Sequence, residues 1–306
     1  MTALLVVRYD VGMRRRTLRK ISMTIFSRRF ARKVLSSISE RLTSQSDLRL
    51  EMDRVKKEVL ANTPGNPAIY GYKIYSQCDE DGIIANIFSR IGEGGRTFVE
   101  IGCSDGLENN THALLLQGWR GVWVDADKDK IDFVKRQIQN KPSLSVLNAF
   151  ISVNNAEATI KAGMEAVNIN VLDFLSLDID GADLYVIKEL SKSLNPRVIC
   201  VEYNTKFPPP LKISVQPNPG AWQGDDYHGA SLCSFVDVLG AVGYTLVACS
   251  LSGANAFFVQ SVEAAKFPAS TPAQLYQPAR YELRHLKSGH PASLKFLRDL
   301  LLHDTK

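Results

Sequence analysis

Between residues 97 and 260, short apolar runs alternate with helix-length amphipathic segments, and this alternation restricts the fold more than any other feature of the chain. The apolar runs fall at residues 98–101, 121–124, 145–147, 174–177, 198–201, 244–248 and 256–259. Helically spaced segments fill 110–117, 128–139, 156–166, 182–191 and 231–242 between most of them. Strand–helix repetition of this kind builds a mostly parallel sheet between two helical layers. The last two runs are joined only by residues 250–255, too few for a helix. They read as a hairpin, which makes the last strand antiparallel in an α/β sheet.

The flanks read differently. Residues 37–60 form a polar helical stretch closed by the breaker-rich Asn62-Thr63-Pro64-Gly65-Asn66-Pro67. Residues 76–90 place Asp79, Glu80 and Asp81 ahead of Ile83, Ile84, Ile87 and Phe88, as suits the positive N-terminal end of a helix. Helical periodicity returns at 278–286 and 293–302. The expected organisation is a basic N-terminal helical arm over 1–66, a main domain over 67–262 and a C-terminal helical appendage over 263–306.

Charge separates the arm from the body. Residues 1–35 hold ten Lys or Arg against Asp10, a charge of +9, while the rest of the chain holds 27 basic and 31 acidic residues, a charge of −4. Residues 16–35 mix these cations with Leu18, Ile21, Ile25, Phe26 and Phe30, the make-up of an amphipathic helix. Residues 1–35 therefore suit peripheral contact with an anionic membrane surface. A nucleic-acid partner is not expected, because the body is net negative. No apolar run approaches the ~20 residues of a transmembrane helix, and no clean apolar stretch follows the arginines as in a secretory signal. Five widely spaced cysteines without a CxxC pair argue against a zinc ribbon or disulfide framework. A reducing, cytoplasmic location is expected, at the inner face of the membrane if the arm binds lipid.

The segment Thr97-Phe98-Val99-Glu100-Ile101-Gly102-Cys103-Ser104-Asp105-Gly106 carries the most chemical information. A strand delivers Glu100, and Gly102 and Gly106 let the backbone turn tightly beside a ligand. The spacing is G-x-x-x-G, without the third glycine of dinucleotide sites, and Leu107-Glu108-Asn109-Asn110 delays the helix N-terminus that a pyrophosphate would need. One strand later the chain ends in Asp125-Ala126-Asp127, with Asp125 19 residues past Gly106. A strand-end carboxylate there is the usual acceptor for two ribose hydroxyls; the other reading is that Asp125 and Asp127 cap the helix starting near Lys128.

Glu-x-Gly-x-x-x-Gly followed by a strand-end acid resembles motif I of the class I S-adenosylmethionine-dependent methyltransferases. Tyr75-Ser76-Gln77, Glu80-Asp81-Gly82, Asn110-Thr111, Gly118-Trp119-Arg120-Gly121 and Asp178-Ile179-Asp180-Gly181 narrow the resemblance to the FkbM-type family, over roughly residues 70–260. It implies a Rossmann-like methyltransferase sheet and S-adenosylmethionine as methyl donor. By this resemblance Glu100, Gly102, Ser104, Asp105 and Gly106 hold the methionine portion, Asp125 the ribose, and Ala149 and Phe150 flank the adenine. FkbM-type chains usually read Lys-x-Asp-x-Glu-Gly after strand four. Here Ser176-Leu177-Asp178-Ile179-Asp180-Gly181 lacks the basic residue and shortens an acid, so the site is more acidic than the family norm.

A second cluster gathers at the ends of strands four and five, which open on the same crevice of a parallel sheet. Asp178, Glu202 and Asn204 form a set of hard oxygen ligands suited to Mg²⁺, resembling the metal site of catechol and sugar O-methyltransferases. Alternatively, Asp178 binds the donor's amino group and Glu202 pairs with Lys206. Asp180 is the best-placed base if no metal binds, and His228 is either a second base or a loop-capping residue. The proline-rich stretch 205–227 reads as a wall or lid over the acceptor. The sequence therefore points to an O-methyltransferase acting on a sugar hydroxyl of a glycan, glycolipid or nucleotide-sugar. Rival readings are N-methylation, O-methylation of a non-sugar natural product, an NAD-dependent oxidoreductase and a non-catalytic membrane-associated adaptor.

Overall fold

Seven strands form one sheet in the order β3-β2-β1-β4-β5-β7-β6. The architecture comes from a computed structural model, which describes residues 44–138, 143–217 and 222–303. The expectations for residues 1–35, their amphipathic helix and membrane contact, fall on residues outside these. The strands are β1 (Thr97–Ile101), β2 (Arg120–Asp125), β3 (Leu144–Asn148), β4 (Phe174–Leu177), β5 (Val198–Glu202), β6 (Tyr244–Cys249) and β7 (Asn255–Gln260). The pairs β1–β2, β1–β4, β2–β3 and β4–β5 are parallel. β7 lies antiparallel between β5 and β6. The Rossmann-like α/β sheet with an antiparallel last strand is therefore the fold of this chain.

Alternation along each strand divides the core in two. Phe98, Trp123, Phe174, Val198 and Phe257 face one layer, formed by α1 (Gln45–Asn62), α2 (Glu80–Ile91), α3 (His112–Leu116), α4 (Lys128–Ile138) and the C-terminal helix. Val99, Val122, Leu175, Ile199 and Phe258 face the other, formed by α5 (Ala156–Glu165), α6 (Asp183–Leu194) and α7 (Leu232–Gly240). Because both faces are covered, β1 is buried at every position, Glu100 included, with Phe98 filling one layer and Val99 and Ile101 the other.

From Ser44 onward the chain packs as one compact unit. α1, capped by the Ser44 hydroxyl accepting from the Asp47 N–H, buries Leu48, Met52, Val55 and Val59 in the same core as α2. Three short pieces follow β7, a 3-10 turn at Ser261–Lys266, α8 (Pro272–Leu275) and a 3-10 turn at Tyr281–His285, before α9 (Lys295–His303). The periodicity at 278–286 thus yields a single 3-10 turn. Only Leu283 in it is buried, and Arg280 N–H is drawn to Ser252 C=O at 2.8 Å.

α2 also starts later than its pattern suggested, at Glu80. Asp81 Oδ2 accepts the backbone N–H groups of Ile74, Tyr75 and Ser76 at 2.6, 2.8 and 2.8 Å, so residues 74–76 form a strap instead of a helical turn. Asp79 is fully buried, and both of its oxygens accept the N–H of Leu251, at 3.1 and 3.0 Å, in the β6–β7 turn. Loss of hydration, then the neighbouring Glu80 charge, pushes Asp79 up to about 8. Glu80 accepts from Asn255 Nδ2 at 3.0 Å. Among the described residues no helix is long and apolar enough to cross a membrane.

Candidate active site

The glycine loop closes where β1, β2 and β4 end. Gly102 N–H donates to Val124 C=O at 2.8 Å, and Asp178 N–H donates to Ile101 C=O at 3.0 Å. Gly102 has φ +91°, and a Cβ there would sit 1.8 Å from the Asp178 carbonyl oxygen. Gly106 has φ +72°, and its Cβ would lie 2.6 Å from the Trp123 ring. Ser104 between them is also left-handed, φ +55°, and its N–H donates to Asp125 Oδ2 at 2.7 Å. The G-x-x-x-G spacing therefore winds a loop whose backbone is pinned to the strand-two acid, and only residues without a Cβ fit at its two tightest points.

Several sequence-selected residues meet on this lip. Asp125 Oδ1 accepts Asp127 N–H at 2.8 Å, and its carbonyl accepts Ala149 N–H at 3.0 Å, which brings β3's exit alongside. Phe150 follows with its ring 71% exposed, an aromatic surface left open beside Asp125. Asp127 caps α4, its Oδ1 accepting from Asp129 and Lys130 N–H at 3.0 and 3.2 Å. Asp105 Oδ1 accepts Leu107 N–H at 3.1 Å and shapes the loop.

Glu100 faces elsewhere. Its buried carboxyl accepts Asn110 N–H at 2.8 Å and Thr111 N–H at 3.1 Å, and a very short bond from the Thr111 hydroxyl. Thr111 Oγ1 in turn accepts Trp123 Nε1–H at 2.7 Å. Burial, opposed by these bonds, pushes Glu100 up to about 7. It pins the start of α3 under the loop from a buried position, 4% exposed, where Asp125 lies half-buried on the lip. In this structure Glu100 supports the loop from beneath. Thr111 and His112, whose Nδ1 lies 2.7 Å from Gly106 C=O and whose ring stacks on Tyr75 at 3.7 Å, are parts of this support. The pattern Asn110-Thr111 marked the place but not the role.

The second cluster shares only Glu202 with the expected set; Asp180 and His228 stand where Asp178 and Asn204 were expected. Asp180, Glu202 and His228 place one ligand atom each within 4.8 Å of one another. Asn204 does not join them: its buried amide donates to Asp226 C=O and His228 C=O at 2.9 and 3.1 Å, and its oxygen accepts Lys206 N–H at 3.2 Å. It ties the 205–231 loop to the end of β5 and so delivers His228. Lys206 pairs with Asp226, not with Glu202. Asp183, buried at the start of α6, accepts Ile179 and Gly181 N–H at 2.9 and 2.8 Å and holds Asp180 in the left-handed region, φ +53°.

The Asp178 and Glu202 carboxyls are neighbours at the ends of β4 and β5. Although Asp178 opens on the crevice, loss of hydration, then the Asp180 and Asp183 charges, raises it to about 8. Glu202 is raised well above the carboxylate range by the same loss, then by Asp178. The pair therefore keeps a proton at neutral pH. Desolvation also raises Asp180. His228 Nδ1 is buried without a hydrogen-bond partner, 3.9 Å from Glu202 Oε2, and Trp222 lies over its ring at 5.3 Å. The loop bearing Trp222 is stitched down by the Ser214–Ala230 bridge and by Tyr185 Oη donating to Val215 C=O at 3.0 Å.

No family model and no curated protein matches the chain. Among solved structures, the N-terminal domain of EvdMO1 with SAH bound aligns at 14% identity and TM-score 0.41, over 69% of this chain and 96% of that one. The CurJ carbon methyltransferase aligns at 11% and 0.43, over 76% and 70%. A TehB-like SAM-dependent methyltransferase from Corynebacterium glutamicum aligns at 15% and 0.32, over 63% and 91%.

Proposed function

We propose that the chain is an S-adenosylmethionine-dependent O-methyltransferase acting on a sugar hydroxyl. The observation that carries the reading is the pinned loop from Gly102 to Gly106, closed on Asp125 and facing a carboxyl–imidazole cluster one strand away. Bound S-adenosylmethionine would supply an electrophilic methyl group. In this reading the backbone of the tight loop would hold its methionine portion, the half-buried Asp125 would accept from the ribose diol, and the open Phe150 ring would offer a face for the adenine.

On the acceptor side the chain supplies a proton sink. As the acceptor oxygen took the methyl group and the donor left as the neutral thioether, the hydroxyl proton would pass to Asp180, whose raised pKa makes it a better base than an ordinary carboxylate. Trp222, against His228, would wall the acceptor side. A divalent cation fits the residues present, because His228 Nδ1 is buried and unpartnered beside two carboxylates. Asp180, Glu202 and His228 would hold it, and it would lower the pKa of an adjacent hydroxyl. This mixed donor set suits Mn²⁺ at least as well as Mg²⁺, unlike the all-oxygen set first expected.

Calorimetric titration of S-adenosylhomocysteine into the full chain, with Mn²⁺ or Mg²⁺ and then with EDTA, tests the reading. Micromolar binding, about −8 kcal/mol, supports it. Absence of binding under all three conditions overturns it.

A further inference from the structure

Behind the glycine loop lies a cleft of about 710 Å³, between residues 73–75, Leu107–Glu108 and the C-terminal segment from Arg284 to Phe296. That volume falls within the range of small-molecule sites. The cleft is basic in an otherwise acidic body: Lys73, Arg284, His285, Lys287 and His290 line it against one carboxylate, Glu108. Lys73 is spent on structure, bonding Glu108 at 3.2 Å and the carbonyls of Gln77 and Arg284 at 2.8 and 3.2 Å. Its last bond fixes the backbone that presents Arg284. The Arg284 and Lys287 side chains are exposed and make no ion pair among the described residues, so two cations converge on the cleft without a protein counter-charge.

The walls are aromatic as well as basic. Tyr75 is held flat by stacking on His112, and the Phe296 ring is 73% exposed. Two uncompensated cations beside a bare ring match a ligand with a polyanionic part and a planar part. The cleft also adjoins the acid cluster. Tyr281 Oη is 2.8 Å from Thr205 Oγ1, three residues past Glu202, and Arg284 lies three residues on in the same 3-10 turn. At about 2.0 Å rise per residue, the two ends of that turn are separated by about the width of one sugar ring.

We propose that this cleft binds a nucleoside diphosphate, with Arg284 and Lys287 on the diphosphate and Phe296 against the base, so that the acceptor is a nucleotide-linked sugar whose ring reaches toward Asp180 and Glu202. The identity of the acceptor rests on the methyltransferase reading; the cleft's affinity for the nucleotide does not.

The test titrates UDP, GDP and inorganic pyrophosphate separately into the full chain, alongside S-adenosylhomocysteine, with wild type, the double variant Arg284→Ala/Lys287→Ala and Phe296→Ala. One nucleotide is expected to bind wild type at micromolar concentration and pyrophosphate at least tenfold more weakly. The double variant should weaken both at least tenfold, and Phe296→Ala the nucleotide alone, with S-adenosylhomocysteine affinity and melting temperature unchanged in both variants. No binding of either nucleotide to a wild type that binds S-adenosylhomocysteine overturns the proposal and leaves the methyltransferase reading standing. Equal binding of pyrophosphate and nucleotides also overturns it, since the carrier would then be some other diphosphate, such as a lipid. Nucleotide binding without S-adenosylhomocysteine binding supports the cleft and refutes the methyltransferase reading instead.

Discussion

Gly102→Ala, compared with Gly118→Ala, isolates the close approach on which the donor loop depends. Both glycines have positive φ, +91° and +83°, so both variants carry the left-handed penalty of about 1–2 kcal/mol. At Gly118 an added Cβ meets nothing within 4 Å, and no further cost arises. At Gly102 the Cβ lands 1.8 Å from Asp178 O, whereas real Cβ contacts essentially never fall under 3.0 Å. The ends of β1 and β4 must therefore part by more than an ångström. That strains the Asp178–Ile101 and Gly102–Val124 bonds, each worth about 1 kcal/mol net, and adds about 1–3 kcal/mol of overpacking. The total for Gly102→Ala is about 4–7 kcal/mol. With about 2–4 °C of melting temperature per kcal/mol in a domain of this class, Gly118→Ala should melt about 4 °C below wild type and Gly102→Ala about 10 °C or more below. Differential scanning calorimetry reads both, and S-adenosylhomocysteine titration should fail only for Gly102→Ala. If the two variants melt within about 2 °C of each other and bind alike, the crowding argument is wrong.

Other perturbations read other parts of the site. Asp125→Ala removes two bonds from a charged acceptor, about 1.5 kcal/mol or more each, so S-adenosylhomocysteine affinity should fall about 100-fold; unchanged affinity would remove Asp125 from the ribose. Glu100 is neutral up to a higher pH in the folded chain than in the unfolded one, so the native state binds the extra proton between its ordinary 4.5 and about 7. Stability from this group is complete below pH 4.5 and falls as pH rises through 7, by about 3 kcal/mol in all. Urea melts of wild type and Glu100→Gln from pH 5 to 8 should show a shallower fall in the variant, because Asp79 and Asp178, each raised to about 8, keep contributions of the same sign. Arg197→Ala strips the carbonyls of Ile91 and Gly92 of a donor and leaves buried Asp173 without its ion pair. A loss of about 3–5 kcal/mol is expected, measurable as a lower urea midpoint. Mn²⁺ at about 100 times its Kd should raise stability by about 2.7 kcal/mol in wild type but not in His228→Ala; an equal rise in both would exclude His228 as a ligand.

The sheet was readable because its strands are covered on both faces. The runs at 98–101, 174–177 and 198–201 needed no partner information to stand out, and the structure extends them by at most one residue at either end. Asp125 and Asp178 were placed by the rule that parallel strands end on a common crevice. What that rule cannot supply is the direction of a side chain beyond the strand. Glu100 turns under the loop because Asn110 and Thr111 bring two backbone N–H groups to it. Asn204 and His228 exchange roles because a carboxamide can hold two carbonyls and a single imidazole cannot. The cleft lined by Arg284 and Lys287 has no local signature at all, since it exists only once the C-terminal segment has crossed back to residues 73–75.

The bond from Leu251 to Asp79 spans 172 residues, and its consequence is one of timing. Closing a loop of that length costs about 4–5 kcal/mol of chain entropy before any contact is gained. The carboxyls of Asp79 and Glu80 therefore stay hydrated and charged while the earlier strands assemble, and they are sealed only when the β6–β7 hairpin docks. A growing chain that has reached β5 holds the loop and acids of the donor lip, yet carries two carboxylates where the finished core allows almost no water. The hairpin thus acts as a completion signal. Until it arrives, the N-terminal strap is free to leave the sheet, and the nascent protein should remain protease-sensitive ahead of residue 97.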